Sequence, residues 1–383
     1  MRVILALCLA LVVLATAHAE SDHVKLRRWT RSQYLELSKH FDTIGREEHR
    51  ERLSKRNNWN CPKIGILSAF APETLSSLQV MNASGYVRVL ETNGRQFFEG
   101  TLRGKQVVIS TTGVGMSNAA MTTQMVFELY PSIEYLIFSG IAGGVNPALP
   151  IGSVTIPKKW SQYQHNKFIN NQVDASIIGE DFPNTFYRYN DTDGKTVKVA
   201  YMEPSYKNCG NETLTTNLTY PGFAVPMMVD TLVNASDAFA SVTPQQFWFP
   251  VDEYLLNATE RALPKLPNLT ATGFDPINQK NFTLPDVPHA QIGEAGLSAS
   301  TFLDNADLRA QLFGYFKADA VDMESATVMH VCKSNQKKCI VIRSLSDLAG
   351  GQEGTNVILT FTSFAAKNSA TVLFSILDEM EVW

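Results

Sequence analysis

The chain has 383 residues, a formal net charge of −4 and 44% hydrophobic residues. That apolar share is ordinary for a globular core, and the acidic balance argues against nucleic acid or an anionic membrane surface as the main partner. The length allows one large α/β domain with insertions, or two domains.

Residues 1–19 read as a secretory signal peptide. Arg2 supplies the charge, Val3 to Ala15 the apolar run, and Ala17-His18-Ala19 the small-x-small cleavage site. The run is too short to favour a membrane span, and no later apolar stretch of roughly 18 residues occurs. A secreted, extracellular protein with no membrane partner is expected. Residues 20–60 are polar, with mixed charge from Arg46 to Arg56, and predict an N-terminal helical arm ahead of a main domain at 61–383.

The main domain opens with KIGILS at Lys63–Ser68, a continuous apolar strand typical of a sheet covered on both faces. A loop to Glu73 and a helix over Glu73–Met81 follow. Residues 86–91, 96–102 and 106–111 predict strands, with turns at Asn93-Gly94 and Arg103-Gly104. Gly113-Val114-Gly115 opens a helix to about Leu129. Ile133–Ser139 predicts a strand ending in a glycine-rich turn, Gly140–Gly144, and Val154–Pro157 predicts another.

From 160 to 289 the sequence is rich in Asn, Thr, Pro and aromatics and has little periodicity. It reads as a long insertion covering the core. Core-like sequence returns at Gln291–Ala299. A helix at Asn305–Phe316 follows, then the acidic cluster Asp322-Met323-Glu324 and a helix from Ser325 to about Lys333. The strand Cys339–Ile342 and a final helix from about Ile358 to Met380 complete the chain.

Eight asparagines stand in N-x-Ser/Thr sequons: Asn82, Asn190, Asn211, Asn217, Asn234, Asn257, Asn268 and Asn281. Their density behind a signal peptide predicts a glycosylated surface. Four cysteines remain after the signal: Cys61, Cys209, Cys332 and Cys339. An even count in a secreted chain suggests disulfides. Cys332–Cys339 would tie a helix to its strand and leave Cys61–Cys209; free buried thiols are the other reading. No CxxC pair occurs, so no zinc site is expected.

Glycine-rich segments follow strands at 113–115, 140–144 and 350–351. None is GxGxxG or a P-loop, so no nucleotide cofactor is expected. Three together suggest a polar ligand approached closely by backbone. Ligands of open α/β sheets bind beyond the carboxyl ends of strands. Asp347 is placed there, and a short helix brings Glu324 back to the same edge.

Four motifs in order, KIGILSAFAPE, TTGVGMSNAA, SGIAGG and VDMES with VIRSLSD, resemble the nucleoside phosphorylase / methylthioadenosine–adenosylhomocysteine nucleosidase superfamily. The likeness covers residues 63–159 and 291–383, and the SGIAGG form most resembles the plant bark-storage-protein branch. The resemblance implies a three-layer α/β fold with a mixed central β-sheet flanked by helices, a small-molecule purine nucleoside as ligand and a homo-oligomer, dimer or trimer.

It also implies roles. Asp347 would protonate N7 of the purine, making the base a better leaving group. Glu73 would activate the attacking water. Glu324 would accept hydrogen bonds from the ribose hydroxyls. Met323 would pack under the sugar, Arg343 would orient the water or Glu73, Phe302 would stack on the base, and Gly115 belongs to the turn at the substrate. Phosphorylases of the superfamily carry arginines after the first strand and at the SGIAGG position. Neither Ser68–Pro72 nor Phe138–Ile141 contains one, so a phosphate dianion would be poorly held and water is the expected nucleophile. Ile141 stands where nucleosidases have a serine near that water, a departure that favours a storage or structural glycoprotein of little activity. A purine nucleoside phosphorylase is the third reading.

Overall fold

An unbroken apolar strand needs cover on both faces, and all five residues of β1 (Ile64–Ser68) are buried. The computed structural model describes residues 62–83, 87–169, 187–190, 197–200, 223–226, 228–234, 237, 244–354 and 356–381. After β1 come α1 (Ala71–Ala83), β2 (Val87–Thr92), β3 (Arg95–Leu102), β4 (Lys105–Thr111), α2 (Met116–Leu129), β5 (Tyr135–Gly144), β6 (Val154–Pro157) and β7 (Lys159–Gln162). The second half holds β8 (Phe249–Pro250), α3 (Glu253–Ala262), β9 (Ala290–Gly293), β10 (Ala295–Ser298), α4 (Ala306–Phe316) and β11 (Ala318–Asp322). It ends with α5 (Ser325–Ser334), β12 (Lys338–Asp347) and α6 (Ile358–Glu379).

These strands form one mixed sheet in the order β8-β7-β10-β11-β5-β1-β4-β3-β2, with β12 beside β5 and β6, and β9 on β6. β1 runs parallel to β4 and β5, and β12 parallel to β5. β11 is antiparallel to β5, and β6 antiparallel to β12. α1 and α3 pack against α6, and α2 packs against α5, so helices flank the sheet as expected. Ile66, Phe97, Phe138 and Ile340 are among the side chains closed off between these layers. Each contributes roughly 1.5–3 kcal/mol by leaving water.

Three sequence expectations change. Gly140–Gly144 is not a turn but the C-terminal half of β5, all ten of whose residues are buried. A Cβ on Gly140 would sit 2.2 Å from both Arg343 Nη1 and Glu73 Oε1. The glycine is there so that two charged side chains can lie against the strand. Arg343–Asp347 is likewise part of β12, which runs ten residues.

The third change concerns the insertion. Both ends of the stretch 160–289 join the core: Trp160 of β7 is fully buried opposite Phe249 of β8, and α3 packs on α6. Gly296 leaves room for the indole, since a Cβ there would meet its ring at 2.6 Å. Asn234, Asn257, Asn268 and Asn281 are all exposed. Asn82 lies in α1 and Asn190 ends a short strand, Tyr187–Asn190. The signal, the arm 20–60, Cys61, Cys209, Asn211 and Asn217 lie outside the described residues.

Cys332 of α5 and Cys339 of β12 form a disulfide, with Cα atoms 6.3 Å apart. No helix among the described residues is long and apolar enough to cross a membrane. No group of three or more His, Cys, Asp or Glu suited to a metal occurs among them either.

Candidate active site

β1, β5, β11 and β12 end around a cavity of about 250 Å³. Glu73, Phe302, Met323, Glu324 and Asp347 all line it, although they come from four separate stretches of chain. Phe302 stands at its edge, 49% exposed. Arg343 and Gly115 are not on its wall; they lie behind it and hold the residues that are. No Arg or Lys occurs among the described residues lining the cavity.

Glu73 is the third residue of α1. Its Oε2 accepts hydrogen bonds from the backbone N–H of Ala69 (2.6 Å) and Phe70 (3.3 Å). A glutamate at this position reaches back to free N–H groups ahead of a helix, and the same side chain lines the cavity. Its Oε1 accepts the N–H of Ile141 at 2.7 Å. The residue at 141 thus holds Glu73 through its backbone, whatever its side chain. The Ile141 side chain packs with Phe70, Ile358 and Phe364 on the apolar flank.

Glu324 ends the link from β11 into α5. Its Oε1 accepts the N–H of Gly115 at 2.7 Å. Gly115 has φ 96°, a conformation that L side chains rarely adopt, and this aims its N–H at the carboxylate. Asp322, two residues earlier, was missed by sequence reasoning as a functional residue. Its Oδ1 accepts from the Ser298 hydroxyl and from the N–H of Glu324 (3.2 Å) and Ser325 (3.1 Å). Its Oδ2 accepts from the Ser325 hydroxyl and from Arg343 Nε at 2.7 Å. The signal was available in VDMES, where an acid three residues before a serine reads as a helix cap.

Arg343 is fully buried, with its guanidinium 4.1 Å from the Phe138 ring centroid. Nη1 lies 3.7 Å from Glu73 Oε1, and Nη2 lies 2.7 Å from Asp322 Oδ2 and 3.7 Å from Glu324 Oε2. Neither terminal nitrogen makes an aligned hydrogen bond among the described residues, so they act on the two glutamates as charge. Arg343 was expected to orient the water or Glu73; it lies off the cavity wall, with Nη1 3.7 Å from Glu73.

Asp347 closes β12 and is 1% exposed, not a rim residue. Its Oδ1 accepts the Ala349 N–H (2.9 Å) and the Asn356 amide (3.3 Å), and its Oδ2 accepts the Ser346 hydroxyl (2.9 Å). Ser346 and Asn356 were not foreseen, because the register of β12 and the folding back of the loop after it place them.

Burial pushes Glu73 up to about 7, against the pull of Arg343 and three backbone N–H groups. Burial, then the charge of Asp322, push Glu324 up to about 7, against Arg343 and the Gly115 N–H. Burial also raises Asp347 above its usual range, opposed by Ala349, Ser346 and Asn356. The cavity therefore holds carboxyls able to give and take protons near neutral pH.

The sequence matches the phosphorylase superfamily over residues 63–380, and the chain belongs to that superfamily. A 5′-methylthioadenosine/S-adenosylhomocysteine nucleosidase of Staphylococcus haemolyticus is 23% identical over 315 residues, covering 82% of this chain and 98% of its own. Among solved structures, the S-adenosylhomocysteine nucleosidase of Streptococcus pyogenes with 5-methylthiotubericidin has a TM-score of 0.55 at 18% identity. It covers 85% of this chain and 100% of its own. The futalosine hydrolase of Helicobacter pylori has a TM-score of 0.53 at 19% identity, covering 84% and 99%. These likenesses show the fold.

Proposed function

We propose that the protein is a secreted, glycosylated purine nucleosidase that hydrolyses the N-glycosidic bond of purine ribonucleosides to base and ribose. One observation carries this: Glu73, Glu324 and Asp347 converge on one cavity that has no Arg or Lys among its described lining residues. Asp347 donates its proton to N7 as the C1′–N9 bond breaks, and the electron pair leaves with the base. Water attacks C1′ and gives its proton to Glu73, held toward the cavity by Ile141 and Arg343. Glu324 accepts hydrogen bonds from the ribose hydroxyls, Met323 packs under the sugar and Phe302 stacks on the base. Solvent then returns Glu73 and Asp347 to their starting states.

The exposed sequons at Asn234, Asn257, Asn268 and Asn281 support export, as does the signal at 1–19. A homo-oligomer, dimer or trimer, is part of the reading. The test is a panel of adenosine, inosine, guanosine, uridine, 5′-methylthioadenosine and S-adenosylhomocysteine, with and without phosphate. Base release without phosphate and free sugar as product are expected; a phosphate requirement with ribose-1-phosphate formed overturns the hydrolase. The second reading, a storage glycoprotein of the plant bark-storage-protein branch, is favoured by Ile141 and the SGIAGG form. No base release from any purine nucleoside, with abundance in a storage tissue, would establish it.

A further inference from the structure

The loop after β12 folds back over the carboxyl that ends it. Asn356 lies in that loop, and both ends of its side-chain amide are engaged. Nδ2 carries two hydrogens and has two carboxylate partners, Asp304 Oδ1 at 3.0 Å and Asp347 Oδ1 at 3.3 Å. Oδ1 accepts the N–H of Ile358 at 2.9 Å, at the start of α6. This network settles which way the amide points, because the flipped amide would face two carboxylates with its oxygen.

Asp304 sits two residues after Phe302. Gln352 also donates to Asp304 Oδ1, at 2.8 Å, and the N–H of Asn305 donates to Ala349 O at 3.1 Å. Gly350, with φ 94°, has the Asn305 backbone nitrogen 2.3 Å from where a Cβ would be. The segment that carries Phe302 and the loop that follows Asp347 are thus fastened together at several points.

We infer that Asn356 is a positioning residue for proton transfer: it joins Asp347 to Asp304 on the Phe302 segment and leaves Oδ2 of Asp347 as the oxygen that carries the acidic proton. This rests on the assignment of Asp347 as the acid. Oδ1 is occupied by two N–H donors, Ala349 and Asn356, neither of which can accept. Oδ2 faces only the Ser346 hydroxyl, which can turn to donate to Ala142 O, 3.3 Å away, when Oδ2 is protonated. In the transfer, the Oδ2–H bond breaks as the N7–H bond forms, and the ionised carboxylate is received by the same three donors.

The charged groups around Asp347 are few. Glu73, Asp322, Glu324 and Arg343 form their own cluster on the other side of the cavity. Arg309 of α4 donates to Gly144 O and packs against Gly351. Asp304 is the charged side chain that acts on Asp347 through space, and it raises its affinity for a proton.

Two substitutions separate positioning from packing. Asp304→Asn removes the charge but keeps an oxygen for both amides. Asn356→Ser keeps an oxygen for the Ile358 N–H but cannot reach Asp347. The readout is the titration of Asp347 in ¹³C-carboxyl-aspartate protein, assigned against Asp347→Asn, together with the pH profile of kcat. Asp304→Asn is expected to move the Asp347 titration down, and Asn356→Ser to move it up. The limb of the kcat profile that Asp347→Asn abolishes should follow in the same directions. Asn356→Ser should also lower kcat by about tenfold, with KM little changed. Titrations that stay put, or move together, in variants that melt like the parent overturn the inference. Nucleosidase failure shows separately, as a parent protein that releases no base while its Asp347 titration still shifts.

Discussion

The two sides of the cavity handle a buried carboxyl in different ways. On one side, Glu73, Asp322 and Glu324 surround a single fully buried cation, Arg343. On the other, Asp347 is nearly as buried, and its hydrogen-bond donors among the described residues are neutral: Ala349, Ser346 and Asn356. A cation favours the ionised form, whereas burial without one favours the neutral form. Burial outweighs the cation for Glu73 and Glu324, both pushed up to about 7, and it raises Asp347 as well, so the two sides differ in what opposes burial: a cation on one, neutral donors on the other. One arginine, placed 3.7 Å from Glu73 and hydrogen-bonded to Asp322, makes the division.

Removing that cation should have the largest effect. Arg343→Met leaves Asp322 and Glu73 buried without their counter-charge, a change that costs about 3–5 kcal/mol of stability. The denaturant midpoint should fall accordingly and base release should be lost. An unchanged midpoint would mean that the cluster is not held by Arg343. Asp347→Asn tests the other side. Asn can accept from Ala349 and Asn356 at Oδ1 and donate to Ser346, so folding should hardly change. Base release should fall by ~10²–10⁴ in kcat, because the proton is gone. Parent-like turnover of adenosine or inosine by this variant would remove Asp347 from the mechanism.

Next in size is a pH effect on stability that belongs to the arginine side. Glu73 titrates near 7 in the folded chain and near 4.5 when unperturbed, so the folded state keeps a proton that the unfolded state has released. Stability from this group is complete below about pH 4.5 and is lost as pH rises through about 7. At ~1.4 kcal/mol per unit the loss is roughly 3 kcal/mol. Melting followed from pH 5 to pH 8 should show the decline, and Glu73→Gln should make it shallower, leaving the part that Glu324 contributes; equal slopes would place Glu73 outside the linkage. The smallest effect is on recognition. Glu324→Gln weakens charged hydrogen bonds worth about 1.5–3 kcal/mol to the ribose hydroxyls. The preference for ribo- over 2′-deoxyribonucleosides should drop by about tenfold or more, whereas Asp347→Asn should leave that ratio intact.

Much of this was legible in the chain, and for physical reasons that can be named. KIGILS predicts a strand covered on both faces, because only apolar residues suit a strand without a solvent side, and β1 is one. The site residues Glu73, Glu324 and Asp347 were picked out by their motifs, and all three line the cavity. Asp322, Ser346 and Asn356 were not picked out, because what they do depends on groups distant in sequence or on strand register. The insertion was drawn too wide for a similar reason: Trp160 and Phe249 look like scattered aromatics until they pair across β7 and β8.

The sequence by itself determined the local elements, the superfamily and the residue types at the site, since periodicity, turn chemistry and short motifs are properties of neighbouring residues. Only the tertiary structure decided that Gly140–Gly144 is strand, that Arg343 lies behind the wall, and that Ala349, Ser346 and Asn356 are the donors on Asp347. Each depends on a contact between segments far apart in the chain: Gly140 with Glu73 and Arg343, Arg343 with Asp322, and Asp347 with the loop that folds back to bring Asn356 beside Asp304. A carboxyl's protonation is set by the charge and burial around it in space. The two environments of these carboxyls therefore exist only once the chain has folded.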